Sequence, residues 1–352
     1  MGRLLHRLPA DGGSLMSVTA DPGLVTIDDI RAAATRLEGI ATRTPLVPFG
    51  APARRQFLKA ESLQPIGAFK IRGAYNAVAT LPADERARGV ITYSSGNHAQ
   101  GVARAARLLG APCVVVMPSD APQVKRERVA ADGAQIVVVG TASDERQAVA
   151  EEIAAERGLA IIPPFDDDRI IAGQGTVGLE IVEQLPDVAA VLVPIGGGGL
   201  ASGVATAIRA LAPNARIVGV EPELAADAQA SLAAGEIVRW PADQVSRTIA
   251  DGTRTQAVGR RNFAHLSRFL DAVVTVSEDE IAAAVRLAAE ESRLVAEPSG
   301  ALSVAALAFR ADEAGVNGLE GPVVAVVSGG NVDPDRYLTF LDSPIPPGWT
   351  RS

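Results

Sequence analysis

What this sequence of 352 residues has little of already bounds its class. It carries one cysteine, Cys113, so no intramolecular disulfide can form and a reducing compartment is expected. Cys113 lies in the apolar run Ala111-Pro-Cys-Val-Val-Val-Met117, which favours a buried, unpaired thiol. No apolar stretch approaches the ~20 residues needed to span a bilayer, so the reading is a cytoplasmic protein with no membrane partner. Basic blocks are also missing. Lys and Arg number 33 against 41 Asp and Glu, a formal balance of -8, so nucleic acid is not an expected partner. The stretch from Met1 to Met16 contains Arg3, His6 and Arg7 but no continuous apolar core. It does not read as a secretory signal; it reads as a tail, with Met16 an alternative start. What remains is 47% hydrophobic and 21% charged, enough for two domains and a large core.

From Thr26 the pattern reads as a helix over 27–37, the proline-bearing segment Thr44–Pro48, a strand over 56–59, and a helix opening near Lys70. From Gly89 short apolar runs alternate with helical stretches: strands at 89–93, 113–117, 135–139 and 159–162, helices at 97–109, 123–131 and 143–157. Pro163-Pro164-Phe165 with Asp166-Asp167-Asp168 reads as linker punctuation. The alternation resumes with a helix over 175–184, a strand over 190–195, a helix over 200–211, and strands over 217–220 and 323–327. Such alternation predicts buried parallel sheets. The expected division is an N-terminal tail 1–25, a large domain 26–88 with 167–342, a small inserted α/β domain 89–166, and a C-terminal tail 343–352. No internal repeat is evident.

Four stretches carry chemistry. Lys70 follows the turn-forming Pro65-Ile66-Gly67-Ala68 and sits between Phe69 and Ile71. Apolar walls would depress its pKa and make a nucleophilic amine, although the stretch alone fits an ordinary helix-start lysine with its head in water better. The strand ending at Ile195 runs into Gly196-Gly197-Gly198-Gly199-Leu200, whose backbone N–H groups and following helix start suit a phosphate. Gly196, Gly198 and Ala201 also satisfy a dinucleotide-binding template, with Glu221 placed as a ribose acid, so that rival stands on this motif. Ser94-Ser95-Gly96-Asn97-His98 is a polar turn into a helix that suits a carboxylate, beyond what one capping residue needs. Ser328-Gly329-Gly330-Asn331 ends an apolar strand, where ligands of parallel sheets bind.

Taken together, over about 26–335, these stretches resemble the pyridoxal-phosphate (PLP) enzymes of fold type II, the tryptophan-synthase-β-like α/β class, in its serine/threonine dehydratase and serine racemase branch. The dinucleotide reading needs neither Lys70 nor Ser328. The resemblance implies that Lys70 carries the cofactor as a Schiff base, beside Phe69. It implies that Gly196, Gly197, Gly198, Gly199 and Leu200 hold the phosphate, that Asn97 meets the pyridine 3-oxygen, and that Ser328 meets the ring nitrogen. Gly252 and Glu297 match residues bordering the cofactor. Ser94, Ser95, Gly96, Asn97 and His98 match the loop that receives the substrate carboxylate. Glu221, the carbonyl of Ala225 and Asp227 match positions that hold Mg²⁺ or Ca²⁺ in related enzymes, and oxygen ligands suit such a hard ion.

The implied activity is β-elimination from a hydroxy amino acid, L-threonine or L-serine, giving a 2-oxo acid and ammonia; serine racemase and 3-hydroxyaspartate ammonia-lyase are the alternatives. A serine hydroxyl at 328 cannot keep the pyridine nitrogen protonated, which suits elimination over transamination. Two positions depart from the family pattern: Ile66 and Ala68 stand where many members have threonine and serine. Ser95 stands where dedicated dehydratases often have alanine and racemases place an acid/base serine. The resemblance also implies a homodimer. A chain of this length leaves no room for the effector-binding domain of biosynthetic threonine dehydratases, so no isoleucine feedback is expected.

Overall fold

A computed structural model describes residues 23–94, 96–119, 121, 123–140, 143–347 and 349. Its described strands form two sheets. The larger takes β1 (Leu46–Pro48), β2 (Gln56–Ala60), β7 (Ala190–Pro194), β8 (Arg216–Pro222), β9 (Ala272–Val276) and β10 (Val323–Val327), while the smaller takes β3 (Val90–Tyr93), β4 (Cys113–Pro118), β5 (Gln135–Val139) and β6 (Ala160–Ile161). The six-stranded order is β1-β2-β10-β7-β8-β9, parallel throughout except for the β1–β2 pair; the four-stranded order is β5-β4-β3-β6, all parallel. The interior strands explain themselves. β7 and β10, Ala-Val-Leu-Val-Pro and Val-Val-Ala-Val-Val, are buried at every residue, as a strand covered on both faces requires. Because β10 returns from the far end of the chain to lie between β2 and β7, the loops after β7 and β10 open side by side at the carboxyl edge of the sheet.

Helices cover both faces closely. Those at Asp168–Gln184 and Gly199–Leu211 meet almost backbone to backbone, since a Cβ on Gly203 would lie 2.3 Å from the Ile171 carbonyl and 2.4 Å from the Gly175 nitrogen. The helix Lys70–Ala79 likewise meets Asn97–Leu109 at Gly101, whose added Cβ would lie 3.1 Å from the Lys70 carbonyl.

Several boundaries differ from expectation. The helix expected from Gly175 begins at Asp168, because Asp167 accepts from the Arg169 nitrogen and caps it. Asp166 accepts from the nitrogens of Arg260 and Arg261 at another helix start, so the acidic triplet that reads as linker punctuation begins two helices. Strand β9 was not foreseen, and β1 forms from the segment read only as proline-bearing. The stretch after Ser343 has no helix or strand among its described residues, yet Ile345 and Trp349 pack on the core, with the Trp349 ring 4.8 Å from that of Phe49. Residues 1–22, most of the expected N-terminal tail, lie outside the described residues.

Beneath β2 lies a buried ionic cluster with no counterpart in the sequence reading. Arg72 donates to Glu61, Glu180, Thr176 and the Thr42 carbonyl, while Lys59 donates to Glu180, Gln184 and the Thr44 carbonyl. Burial alone would lift the Glu61 carboxyl, but Arg72, Lys59 and Thr44 together outweigh it and hold Glu61 below its ordinary range.

Candidate active site

Lys70 is positioned from two sides. After the turn at Gly67, which has φ +73°, Ala68 bridges Gly329 in antiparallel fashion and the Phe69 nitrogen donates to the Ser328 carbonyl at 3.0 Å. These contacts tie the residues before Lys70 to the loop after β10. Lys70 is the first residue of its helix, and its Nζ donates to the Pro164 carbonyl at 2.8 Å and lies 5.1 Å from the Phe69 ring centre. Burial pulls the amine down from 10.5 to about 8, and no carboxylate among the described residues offsets it. A lysine so placed is an available nucleophile and base. Ile66 and Ala68, the two departures from the family pattern, are both buried, and Ala68 packs its Cβ toward Gly329.

Around it stand side chains from three other loops. Asn97, first residue of the helix Asn97–Leu109, donates from Nδ2 to Glu297 Oε1 at 2.6 Å. Glu297 precedes the helix Pro298–Phe309, and its backbone nitrogen donates to the Gly329 carbonyl. Burial, then the charge of Asp251, pushes its carboxyl up to about 7. Ser328 is buried at the end of β10, with Oγ 3.5 Å from the Ser299 carbonyl, and the Gly252 nitrogen donates to Ser299 Oγ at 2.7 Å. Backbone closeness demands the glycines here: a Cβ on Gly300 would lie 2.1 Å from the Gly329 carbonyl.

The turn after β7 is a cradle that side chains would fill. Added Cβ atoms would lie 2.2 Å from the Phe165 ring at Gly197, 2.7 Å from Asn262 Cβ at Gly198 and 3.1 Å from Thr253 Cα at Gly196. Gly198 also has φ +98°. Gly199 and Leu200 begin the helix Gly199–Leu211, so an anion in the turn meets free helix-start N–H groups. A half-buried amine with no counter-ion among the described residues, an anion cradle and a hydroxyl at the end of β10 together fit a ligand with an electrophilic carbonyl, a phosphate and a heteroaromatic nitrogen.

The structure thus gathers Phe69, Lys70, Asn97, Glu297 and Ser328, with Gly252 held to Ser299, at the carboxyl edges of the sheets. Ser95 lies outside the described residues. Ser94 is half-buried, and its Oγ accepts from the Gly96 nitrogen at 3.3 Å. His98 is held by Nε2 against the Ile162 carbonyl, while Nδ1 is buried with no partner among the described residues. Burial and then the Lys70 charge drive its pKa down to about 3, so it stays neutral.

Glu221 and Asp227 form a separate buried pair. Glu221 accepts from the nitrogens of Ala228 and Gln229, in the first turn of the helix Asp227–Ala234, whereas neither Asp227 oxygen makes a well-formed hydrogen bond among the described residues, although the Thr255 hydroxyl and the Val258 backbone lie close enough to lower its pKa. Burial raises both carboxyls, with Asp227 adding to Glu221. Carboxylate oxygens without a well-formed hydrogen bond, two residues along the chain from the buried Ala225, suit a hard cation. Among the described residues no group of three or more His, Cys, Asp and Glu side chains converges as metal ligands, so water would complete any such shell.

Sequence reasoning missed the Pro164 carbonyl, which holds Lys70, and the Asn331 side chain, which donates to Asn97. A backbone carbonyl leaves no signature in a sequence. Asn331 stood in the Ser328-Gly329-Gly330-Asn331 turn and could have been weighed.

Comparison with known proteins agrees with this geometry. The chain is 40% identical over 324 residues to an L-threo-3-hydroxyaspartate ammonia-lyase of Saccharomyces cerevisiae, covering 90% of this chain and 96% of that one. It is 40% identical over 333 residues to an L-threonine ammonia-lyase of Thermotoga maritima, covering 94% and 80%. The solved structure of maize serine racemase superposes with a TM-score of 0.84 at 37% identity, covering 90% of this chain and 96% of that one. A family model described as pyridoxal-phosphate dependent enzyme matches residues 37–329. That span takes in Lys70, the glycine turn and Ser328, and the chain belongs to this pyridoxal-phosphate dependent family, with its fold type II α/β architecture.

Proposed function

We propose that this protein eliminates the β-hydroxyl of a hydroxy amino acid, L-threonine or L-serine, with release of a 2-oxo acid and ammonia. The observation that carries the reading is Lys70, a half-buried amine with a pKa lowered to about 8 and no carboxylate partner among the described residues, next to loops suited to a phosphate and to a ring nitrogen. Gly196, Gly197, Gly198, Gly199 and Leu200 would hold the cofactor phosphate, Asn97 its 3-oxygen and Ser328 its ring nitrogen, with Phe69, Gly252 and Glu297 bordering it. When bound, PLP supplies an electron sink for the bond broken at the substrate's Cα. Lys70 removes the Cα proton at Nζ, and a pKa near 8 lets the free amine exist near neutral pH. Ser94, Ser95, Gly96, Asn97 and His98 receive the substrate carboxylate through hydroxyl, amide and helix-start N–H groups. Ser328 accepts or donates one hydrogen bond without fixing a proton on the ring nitrogen, which favours elimination over transamination.

Racemisation is the second reading, favoured by Ser95 in the carboxylate loop and by the likeness to maize serine racemase. 3-Hydroxyaspartate is a third substrate, from the likeness to the yeast ammonia-lyase. Measuring keto-acid formation from L-threonine, L-serine and L-threo-3-hydroxyaspartate, against D-serine formation from L-serine, separates the three; absence of every product refutes the proposal.

Further parts of the reading are proposals on the same footing. The two sheets would be the cores of two domains, 26–88 with 167–342 and 89–166, with the site between them. Glu221, the Ala225 carbonyl and Asp227 would hold Mg²⁺ or Ca²⁺ together with water, and added EDTA should then lower the melting temperature. The protein would act as a cytoplasmic homodimer. None of the described helices is long and apolar enough to cross a membrane.

A further inference from the structure

Asn331 occupies the meeting point of three loops. Its Nδ2 donates to the Ile66 carbonyl at 2.7 Å and to Asn97 Oδ1 at 2.8 Å, while its Oδ1 accepts from Arg128 Nη1 at 2.8 Å. Ile66 belongs to the turn before Lys70, Asn97 begins the carboxylate-loop helix, and Arg128 comes from the helix Gln123–Ala131 beside the smaller sheet. The amide can face only one way. Reversed, its oxygen would oppose two acceptors and its nitrogen would oppose a guanidinium. The turn before Lys70 makes room for it: Gly67 has φ +73°, and a Cβ there would lie 2.4 Å from Asn331 Oδ1.

That fixed amide fixes the next one. With Oδ1 of Asn97 engaged by Asn331, Nδ2 must turn the other way, where it donates to Glu297 Oε1 at 2.6 Å. One Nδ2 hydrogen is left over. If the Asn331 donor were lost, only Glu297 would oppose a half-turn of the Asn97 amide, and a carboxyl that burial raises to about 7 can carry a proton and donate to the turned Oδ1, leaving an acceptor toward the cofactor's 3-oxygen. We propose that Asn331 is a positioning residue for the reaction: it sets the orientation of the Asn97 amide so that a donor, and not an acceptor, faces the cofactor's 3-oxygen. The inference rests on the reading of Asn97 given above.

The competing role is a staple that only holds the Ile66–Gly67 turn, and a double-mutant cycle on the full-length holoenzyme separates the two. Asn331→Ala, Asn97→Ala and the double variant are compared by kcat for keto-acid formation, by the position of the cofactor's visible absorption band and by cofactor Kd. Asn331→Ala is expected to lower kcat about tenfold and to shift the band, and adding it to Asn97→Ala should change neither further. Equal loss in both backgrounds, or an unmoved band in the single variant, overturns the proposal. Asn331→Asp keeps the size and the acceptor for Arg128 but removes the donor to Asn97; it should move the band in the same direction, and an unmoved band there also overturns the proposal if the alanine variant does not fold. A wild-type protein with neither a lysine-linked chromophore nor keto-acid formation would refute the functional reading itself; a wild-type protein with both, unmoved by the Asn331 variants, refutes only this inference.

Discussion

Lys59 and Lys70 lie eleven residues apart in the chain; Lys59 is fully buried and Lys70 half-buried, and both have a depressed pKa caused first by burial. Their partners make them opposites. Lys59 spends its ammonium hydrogens on Thr44, Glu180 and Gln184, and the carboxylates of Glu180 and Glu61 pull its pKa back up. Among the described residues Lys70 has one carbonyl acceptor, that of Pro164, and no carboxylate to restore its charge. Lys59 is therefore a structural cation, and Lys70 an amine held ready for chemistry. Burial makes a lysine unusual, but the absence of a counter-ion is what makes it a reagent.

The sharpest way to break this contrast is substitution of each lysine. Lys70→Ala should lower kcat for keto-acid formation by about 10⁴-fold, the upper end for loss of a proton-transfer group, and should abolish the lysine-linked label left by borohydride reduction. A label found elsewhere after peptide mapping of the wild type would undo the assignment of Lys70. Lys59→Met should instead cost about 1–3 kcal/mol of stability, because the Thr44 carbonyl, Gln184 and Glu180 lose a buried donor while Glu180 keeps Arg72, and the label at Lys70 should survive. Denaturant unfolding measures the first and peptide mapping the second. Loss of label without loss of stability would reverse the two roles.

The contrast also predicts a pH dependence. Folding lowers the Lys70 pKa from 10.5 to about 8, so the folded state disfavours the charged amine. The stability this group contributes is present above 10.5 and is lost as pH falls through about 8. Lys70→Met should therefore raise the melting temperature of cofactor-free protein below pH 8, and the gain should fade between about 8 and 10.5. A gain independent of pH would point to packing instead of charge. The smallest expected effect is at the cluster's edge. Thr44 Oγ1 donates to Glu61 Oε1 at 2.6 Å, and Thr44→Val should cost about 1 kcal/mol without altering the Lys70 label.

How much of this was legible in the sequence depends on how local each feature is. The glycine turn, the Ser94–His98 turn and the Ser328–Asn331 turn are contiguous, and each follows an apolar run, so turn chemistry and strand pattern sufficed to find them. The Asp166–Asp168 triplet was visible but misread, because a capping carboxylate and a linker carboxylate look alike until the helix beyond is known. The ionic cluster under β2 was invisible: Arg72 and Glu180 are 108 residues apart, and an arginine two residues after Lys70 carries no sign that it will be buried.

The sequence alone therefore determined the alternating α/β class, the parallel sheets and the turns able to bind an anion, because each rests on residues close together in the chain. It also singled out Lys70, through its turn, its apolar neighbours and a family resemblance. Only the tertiary structure decided that Lys70, and not Lys59, lacks a counter-ion. It brought Asn97, 200 residues away in sequence, to Glu297, and it set Asn331 against both Asn97 and the turn before Lys70. The physical reason is that a side chain's pKa and direction depend on which distant groups enclose it, and that enclosure exists only once both sheets have folded.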